Sequence, residues 1–394
     1  MNRKSCKTRV TSHESRATRY DKISIIGDGG MATVVAMLLC EKQQAKPDTS
    51  REPRAASHEP RATSHEVKMW GYDRRQLQQI AKKRENKKFL PGYKLPKTLI
   101  FEPDDKRIMA GADLIVSAVP CQFMRPVWTR LKKYVPDNVP IVSVAKGIEN
   151  GTLLRPTQIL ADVLDEGRAT RDPSFVRYSG LRRAGKGRKT RYAVLSGPTI
   201  SDELARKLPA TACAASSNES LARDIQHIFS DGVPWLRVYT NTDVVGVELA
   251  GAMKNIIAIA AGIIDGIKLG DNAKAALLTR GLAEITRLGV AMGAKPQTFA
   301  GLTGLGDLVT TCISPKGRNR SFGERIGKGQ PLEQAQGATE SVIEGVATCK
   351  SVVALAARYD VEMPITQAVY EVLFENKPVQ AAVAELMGRQ LKAE

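Results

Sequence analysis

Histidine is scarce: the chain has four in 394 residues. His13, His58 and His65 all fall in copies of one Ser-His-Glu repeat. Only His227, in "LARDIQHIF", stands apart, and a half-buried helix position accounts for it. A histidine acid–base mechanism therefore has no good candidate. The six cysteines (Cys6, Cys40, Cys121, Cys213, Cys312, Cys349) are scattered, with no CxxC spacing. That argues against a zinc site or a redox pair, so no metal is expected, and it fits a reducing compartment. Aromatics make up 5% of the residues, too few to interleave with basic patches as stacking platforms for nucleic acid. No run of about 18 apolar residues appears, so no membrane-spanning helix and no membrane insertion are expected. The N-terminal "MNRKSCKTRVTSHE" is basic with no apolar stretch behind it, unlike a secretory signal.

Positive charge is plentiful, at a net +18, but it is concentrated. Residues 1–22 carry +5, residues 43–64 carry +1 and residues 168–191 carry +8, leaving a nearly balanced remainder. Residues 50–70, "SREPRAASHEPRATSHEVKMW", contain a tandem polar repeat with a third relative at 11–20. With Pro53, Pro60 and no apolar periodicity, that stretch cannot bury a core. These segments read as solvated loops: a basic N-terminal extension over 1–21, expected to be disordered, and inserts at 43–64 and 168–190.

Once they are set aside, short apolar runs follow in order: "KISIIG" (22–27), "EVKMWG" (66–71), "DLIVSAV" (113–119), "PIVSVA" (140–145), "YAVLSG" (192–197), "PATACAA" (209–215) and "LRVYT" (236–240). They read as buried strands alternating with helices, which predicts a parallel sheet covered on both faces. From 243 the pattern turns helical. Residues 243–267 form a long apolar helix, and 272–293 form another with Leu278, Leu282, Ile285 and Leu288 on one face. Further helices fit 341–359, 364–376 and 378–387. The fold class is α/β: a Rossmann-type doubly wound sheet over 22–242, followed by an all-helical substrate and catalytic domain over 243–394. A ligand site would lie in the cleft between them.

"IIGDGGMATVVAM" places Gly27, Gly29 and Ala32 in G-x-G-x-x-A spacing after a strand and at the start of a helix. Gly27 permits the turn, Gly29 lets backbone approach a pyrophosphate, and Ala32 keeps helix and strand close. A plain strand–helix turn is the alternative. The fingerprint also wants a ribose-reading acid about 20 residues on. Asp73 lies 46 positions after Gly27, and 24 once residues 43–64 are removed. An insert in a loop of an otherwise ordinary unit explains the interruption. In "WGYDRR", Asp73 suits a ribose 2′-hydroxyl while Arg74 could welcome a 2′-phosphate. NAD against NADP stays open, with dual use expected.

Lys254 is the only charge between Leu249 and Ile264 in an apolar helix, with Asn255 beside it. Such a lysine snorkels, pairs or loses its proton. Desolvation lowers its pKa toward a useful acid–base range, although a structural ion pair explains it too. In "GLTGLGDLVTTCISPKGRNR" (301–320), Asp307 could orient or charge-pair Lys254. Arg318 and Asn319 offer a fork and a neutral donor for phosphate oxygens. Lys146 in "VAKGIENG" and the Gly197-Pro198-Thr199 turn lie at strand ends where α/β ligand sites occur.

Together "GDGGMATVVA", "FLPGYKLP", "GADLIVSAVP", "VAKGIE", "VLSGPT", "VELAGAMKNIIAIAAGIIDGIKLGDNAKAALLTRGLAE", "GLTGLGDLVTTC", "GRNR" and "IEGVAT" resemble the bacterial NAD(P)-dependent glycerol-3-phosphate dehydrogenases. The resemblance runs from residue 22 to about 388, apart from the internal basic segments. It implies reversible reduction of dihydroxyacetone phosphate to sn-glycerol 3-phosphate by NADH or NADPH, in the cytoplasm, feeding phospholipid synthesis. By matching motifs, Lys254 would be the proton donor and acceptor, with Asp307 as its catalytic partner. Lys146, Gly197, Thr199, Asp307, Gly317, Arg318 and Asn319 fall at substrate positions. Gly30, Met31, Tyr72, Lys146, Ser201, Arg318, Val342 and Glu344 fall at cofactor positions. The family usually has Ser and an aromatic at Gly30 and Met31, Ser at Gly317 and Thr199, and often Ala at Ser201. Other readings are a related two-domain reductase, an inactive copy, or a nucleic-acid binder using the basic segments. No specific nucleic-acid partner is expected, and a homodimer is the assembly to test.

Overall fold

The structure, a computed structural model, describes residues 20–41, 65–165 and 191–391. The two inserts and residues 1–19 of the extension lie outside the described residues. Tyr20, grouped by composition with the extension, is buried, and its hydroxyl donates to Asp224 Oδ2 at 2.9 Å.

Eight strands form one sheet: β1 (Lys22–Ile26), β2 (Glu66–Trp70), β3 (Ile100–Phe101), β4 (Leu114–Ser117), β5 (Ile141–Ser143), β6 (Tyr192–Ser196), β7 (Ala210–Ala215) and β8 (Leu236–Asn241). Their order is β3-β2-β1-β4-β5-β6-β7-β8. Successive side chains of β1 serve opposite faces. Ile23 and Ile25 enter one apolar cluster with Val67, Met69, Leu114 and Val116, while Ile26 joins another with Trp70, Ile115 and Ile141. Burial on both faces is why these strands read as continuous apolar runs.

One expectation needs correction, and one strand, β3, has no apolar run to announce it. The sheet is not wholly parallel, because β6 and β7 pair antiparallel. The link between them, residues 197–209, holds only a five-residue helix and is at the lower limit of length for a parallel crossover. Strand β3 has two residues, too few to show an alternation.

The helices among the described residues are α1 (Gly30–Glu41), α2 (Arg74–Lys83), α3 (Asp105–Met109), α4 (Cys121–Leu131), α5 (Pro156–Leu164), α6 (Ser201–Ala205), α7 (Glu219–Ser230), α8 (Val244–Gly266), α9 (Asp271–Ala291), α10 (Pro296–Ala300), α11 (Asp307–Ile313), α12 (Arg318–Gly327), α13 (Leu332–Gly337), α14 (Glu344–Tyr359), α15 (Pro364–Phe374) and α16 (Val379–Met387). Helix α8 is buried from Gly246 to Ile263 without a break. By length and composition it could cross a bilayer, but the protein itself surrounds it. A helix apolar all round belongs at the centre of a bundle. On α9 the buried stripe is Leu277, Gly281, Glu284, Ile285 and Leu288, with Leu278 and Leu282 only half-buried. The expected stripe was therefore rotated slightly. His227 is exposed rather than half-buried, with Nδ1 3.2 Å from Asp231 Oδ2.

Glycines set how α8 meets α12. A Cβ on Gly262 would lie 1.9 Å from Arg320 O, and one on Gly323 would lie 2.0 Å from Ile259 O. Gly266 and Gly327 repeat the contact one turn on. The two backbones touch, which side chains at these positions would prevent. That close crossing draws Asn319, at the start of α12, toward Asn255 in the middle of α8.

Candidate active site

Strand β1 pairs with β2 on one side and β4 on the other. The chain order reverses there, so a crevice opens beyond the C-terminal ends of these strands. Gly27 turns the chain at φ +124°, and a Cβ on it would sit 2.7 Å from Ala118 O. No other residue fits that turn. Gly29 is the opposite case: a Cβ there would meet nothing within 4 Å. Its bare backbone faces open space at the start of α1, a helix N-terminus suited to a pyrophosphate. Ala32 is fully buried against the sheet. The residues present therefore fit a dinucleotide.

Other cofactor candidates border the same crevice. Gly30 packs so that a Cβ would lie 2.9 Å from Phe89 O and 3.8 Å from Ser201 Oγ. The family's usual Ser has no room there, and Ser201 stands at the rim. Met31 packs half-buried against the core. Tyr72 is 65% exposed at the end of β2 and meets Trp70 edge-on at 6.4 Å. Asp73 caps α2, its Oδ1 accepting from Arg75 N at 2.8 Å and Gln76 N at 3.3 Å.

On the helical side, Lys254 Nζ donates to Asp307 Oδ1 and to Thr311 Oγ1, both at 2.5 Å. Lys146 Nζ donates to Asp307 Oδ2 at 2.6 Å and to Gly197 O at 3.0 Å. One buried carboxylate thus anchors two lysines from the two halves of the chain. Thr311 lies one turn beyond Asp307 and donates to its carbonyl at 2.6 Å, so its hydroxyl oxygen is left to receive the lysine. Asp307 opens α11 directly after a π-helical turn at Leu302–Gly306. In that turn a Cβ on Gly304 would strike Phe299 O at 1.9 Å. Gly197 sits at φ +125°, where a Cβ would lie 3.2 Å from Ala212 Cα, and Thr199 Oγ1 donates to Gly197 O at 3.1 Å.

Burial brings the Lys254 ammonium down to about 8, aided by the Lys146 charge and opposed by Asp307. Burial likewise raises the Glu344 carboxyl, while Arg318, Lys146 and Lys254 pull it down. Three cations thus face two acids, one of them biased toward its neutral form. The net field suits an anion.

Asn319 donates to Asn255 Oδ1 at 2.9 Å and accepts from Gly345 N at 3.0 Å. The Asn255 amide nitrogen is buried with no partner among the described residues. Such a donor is costly unless a ligand satisfies it. Arg318 is exposed at the rim, its Nη1 only 3.4 Å from Val342 O. Arg320, by contrast, is held by Asp265 at 2.7 and 2.6 Å. At Gly317 a Cβ would lie 3.0 Å from Thr311 O, so a serine there would need that backbone to give by a few tenths of an ångström.

The structure thus brings Lys146, Gly197, Thr199, Lys254, Asp307, Gly317, Arg318 and Asn319 to one region. Sequence reasoning missed Thr311, whose signal was its place four residues after Asp307. It named Asn255 only as a neighbour. No metal-binding cluster occurs among the described residues.

Two family models match the chain: the N-terminus of NAD-dependent glycerol-3-phosphate dehydrogenase over residues 22–171, and its C-terminus over 243–384. A protein of Geobacter sp. (strain M21) named glycerol-3-phosphate dehydrogenase (NAD(P)+) is 42% identical over 374 residues, covering 95% of this chain and 99% of its own. The crystal structure of a glycerol-3-phosphate dehydrogenase from Coxiella burnetii superposes with a TM-score of 0.79 at 34% identity, covering 94% of this chain and 99% of that one. A ketopantoate reductase from Ralstonia eutropha, at 13% identity and a TM-score of 0.52 over 93% of this chain and 99% of that one, shares the fold alone.

Proposed function

The chain belongs to the NAD-dependent glycerol-3-phosphate dehydrogenase family, and from that premise we propose Lys254 as the acid–base of an enzyme interconverting dihydroxyacetone phosphate and sn-glycerol 3-phosphate. The protein is an oxidoreductase that works with NAD or NADP. Bound nicotinamide supplies the hydride in reduction and takes it up in oxidation. Gly27, Gly29, Gly30 and the start of α1 would hold the pyrophosphate, Ala32 would keep that helix close to the sheet, and Met31, Tyr72, Asp73, Ser201, Val342 and Glu344 would line the rest of the cofactor's place.

The chain's own part is to move a proton and to grip a phosphate. Protonated Lys254 gives its proton to the substrate oxygen during reduction, and the neutral amine takes it back during oxidation. Asp307 and Thr311 hold that amine, and Lys146 shares the same carboxylate. Arg318 meets the phosphate with its planar fork. The unpartnered Asn255 amide adds a neutral donor, which Asn319 holds in position. Cytoplasmic residence and supply of glycerol 3-phosphate to phospholipid synthesis go with this reading. The five described cysteines, all free and buried, suit such a compartment. A homodimer is the proposed assembly, to be checked by light scattering.

One observation carries the reading: a buried lysine held at 2.5 Å by a carboxylate that a second lysine also grips. The test is NADH and NADPH oxidation with dihydroxyacetone phosphate. Lys254→Ala should lose roughly 100-fold or more in kcat, the usual scale of acid–base catalysis, while cofactor binding by fluorescence persists. A variant with near-normal kcat would remove Lys254 from the chemistry.

A further inference from the structure

We propose that Asp28, the residue inside the Gly27–Gly29 turn, makes this enzyme prefer NAD(H) over NADP(H). The proposal rests on the dinucleotide reading of the crevice given above.

Asp28 is an acid in a turn that otherwise needs only small residues. Its carboxylate does not point to bulk water. Oδ2 accepts from Gln76 Nε2 on α2 at 3.0 Å and lies 2.6 Å from the place a Cβ on Gly71 would occupy. Gly71 directly follows β2. The carboxylate therefore reaches from the end of β1 across to the end of β2, against a backbone that leaves it room only because residue 71 is glycine. In a unit of this kind the adenosine ribose is read at the end of β2. The carbonyl of Asp28 is also held, by Asn86 Nδ2 at 2.8 Å, so the turn cannot easily swing the acid away.

Charge decides what such an acid does. A carboxylate can accept from a ribose 2′-hydroxyl, whereas a 2′-phosphate would bring further negative charge against it. Three cations could offset that repulsion, and none is well placed. Lys88, whose charge reaches Asp28, is paired with Glu340 at 3.0 Å. Arg130 stacks over Trp70 and Tyr72, but Asp105 grips its guanidinium at 2.6 and 2.7 Å. Arg74 stands exposed on the first turn of α2, where solvent screens its charge. Asp73, the acid that spacing alone selects, has Oδ1 committed to capping α2. It adds negative charge nearby rather than acting as the principal reader. Burial, with a smaller push from Asp73, raises the Asp28 carboxyl to about 6, against the pull of its own backbone, Lys88 and Gln76. At pH 8 it is therefore ionised.

The experiment is equilibrium binding of NADH and NADPH, each followed by its own fluorescence at pH 8, to wild type, Asp28→Asn and Asp73→Asn. Both replacements keep the size of the side chain, and Asn still caps a helix. Wild type should bind NADH more tightly than NADPH by roughly tenfold or more, the scale of like-charge repulsion at a partly buried site. Asp28→Asn should shrink that ratio at least severalfold, chiefly by tightening NADPH, and Asp73→Asn should change it less. Equal wild-type affinities would overturn the proposal. So would an unchanged ratio in Asp28→Asn, or a larger shift in Asp73→Asn. If wild type binds neither cofactor, the dinucleotide reading itself fails, an outcome distinct from binding both without preference.

Discussion

Lys254 and Asp307 lie 53 positions apart in the chain and 2.5 Å apart in space. The contact joins the middle of α8 to the first residue of α11. Desolvation lowers the lysine pKa and the carboxylate restores part of it. The amine is thereby left near the range in which it can both give and take a proton.

That balance predicts a pH dependence. With the ammonium brought down to about 8, the neutral base accumulates above that pH and the acid form below it. Oxidation of sn-glycerol 3-phosphate should gain kcat as pH rises through about 8, and reduction of dihydroxyacetone phosphate should lose it. Profiles from pH 6 to 10 check this. Two flat profiles in that window would show that the lysine does not titrate in the rate-limiting step.

Arg318 and Arg320 should separate cleanly. Arg318→Lys removes a planar fork from the exposed rim, so KM for dihydroxyacetone phosphate should rise about tenfold or more with little change in Tm. Arg320→Lys loosens the Asp265 pair and should lower Tm while KM stays within about twofold, since an ion pair away from the substrate acts on stability. Similar KM changes at the two positions would mean the clamp is misplaced.

Asp28 should cost stability. Its folded pKa, about 6, lies above the ordinary 3.8. Between these values the folded chain binds more proton than the unfolded one, so this group's contribution falls as pH rises and the penalty is complete above about 6. Asp28→Asn should therefore stabilise the protein by on the order of 2 kcal/mol at pH 7.5 and by little at pH 4. Urea titrations at both pH values measure it; equal effects would place the acid in solvent.

Gly262→Ala and Gly323→Ala should each destabilise by roughly 3 kcal/mol, the upper range for overpacking. Each Cβ would enter a backbone carbonyl on the facing helix, at 1.9 and 2.0 Å. Activity should fall with them, because the same crossing seats Asn319 beside Asn255. Denaturation midpoints within error of wild type would contradict the close crossing.

Replacing residues 43–64 by an Asn-Gly linker should leave kcat and both KM values within a few-fold. The segment lies outside the described residues, but its flanks are described: Glu41 ends α1 and Glu66 begins β2. Both lie at the edge opposite the strand ends that carry the site. Changing a loop's length costs only about 0.6 kcal/mol per doubling. Lost activity with an intact circular-dichroism spectrum would give the repeat a role.

The sequence by itself determined the alternation of buried strands with helices, the glycine turn after β1, and the isolation of Lys254 in an apolar helix. These are local facts: strands buried on both faces need unbroken apolar runs, and a lone charge in such a helix needs a partner. It could also mark Asp307, Arg318 and Asn319 as polar residues clustered in a short stretch. Which of these side chains meet was decided only by tertiary structure. The antiparallel β6–β7 pair depends on how far a short link can carry the chain. The seat of Asn319 depends on four glycines from two distant helices coming into register. The division of labour between Arg318 and Arg320 depends on Asp265, 55 positions from Arg320. Asp28 read as one more residue of a turn until the fold placed its carboxylate against the end of β2. Spacing along a chain encodes periodicity, whereas charge partners and close approaches arise between segments that only packing brings together.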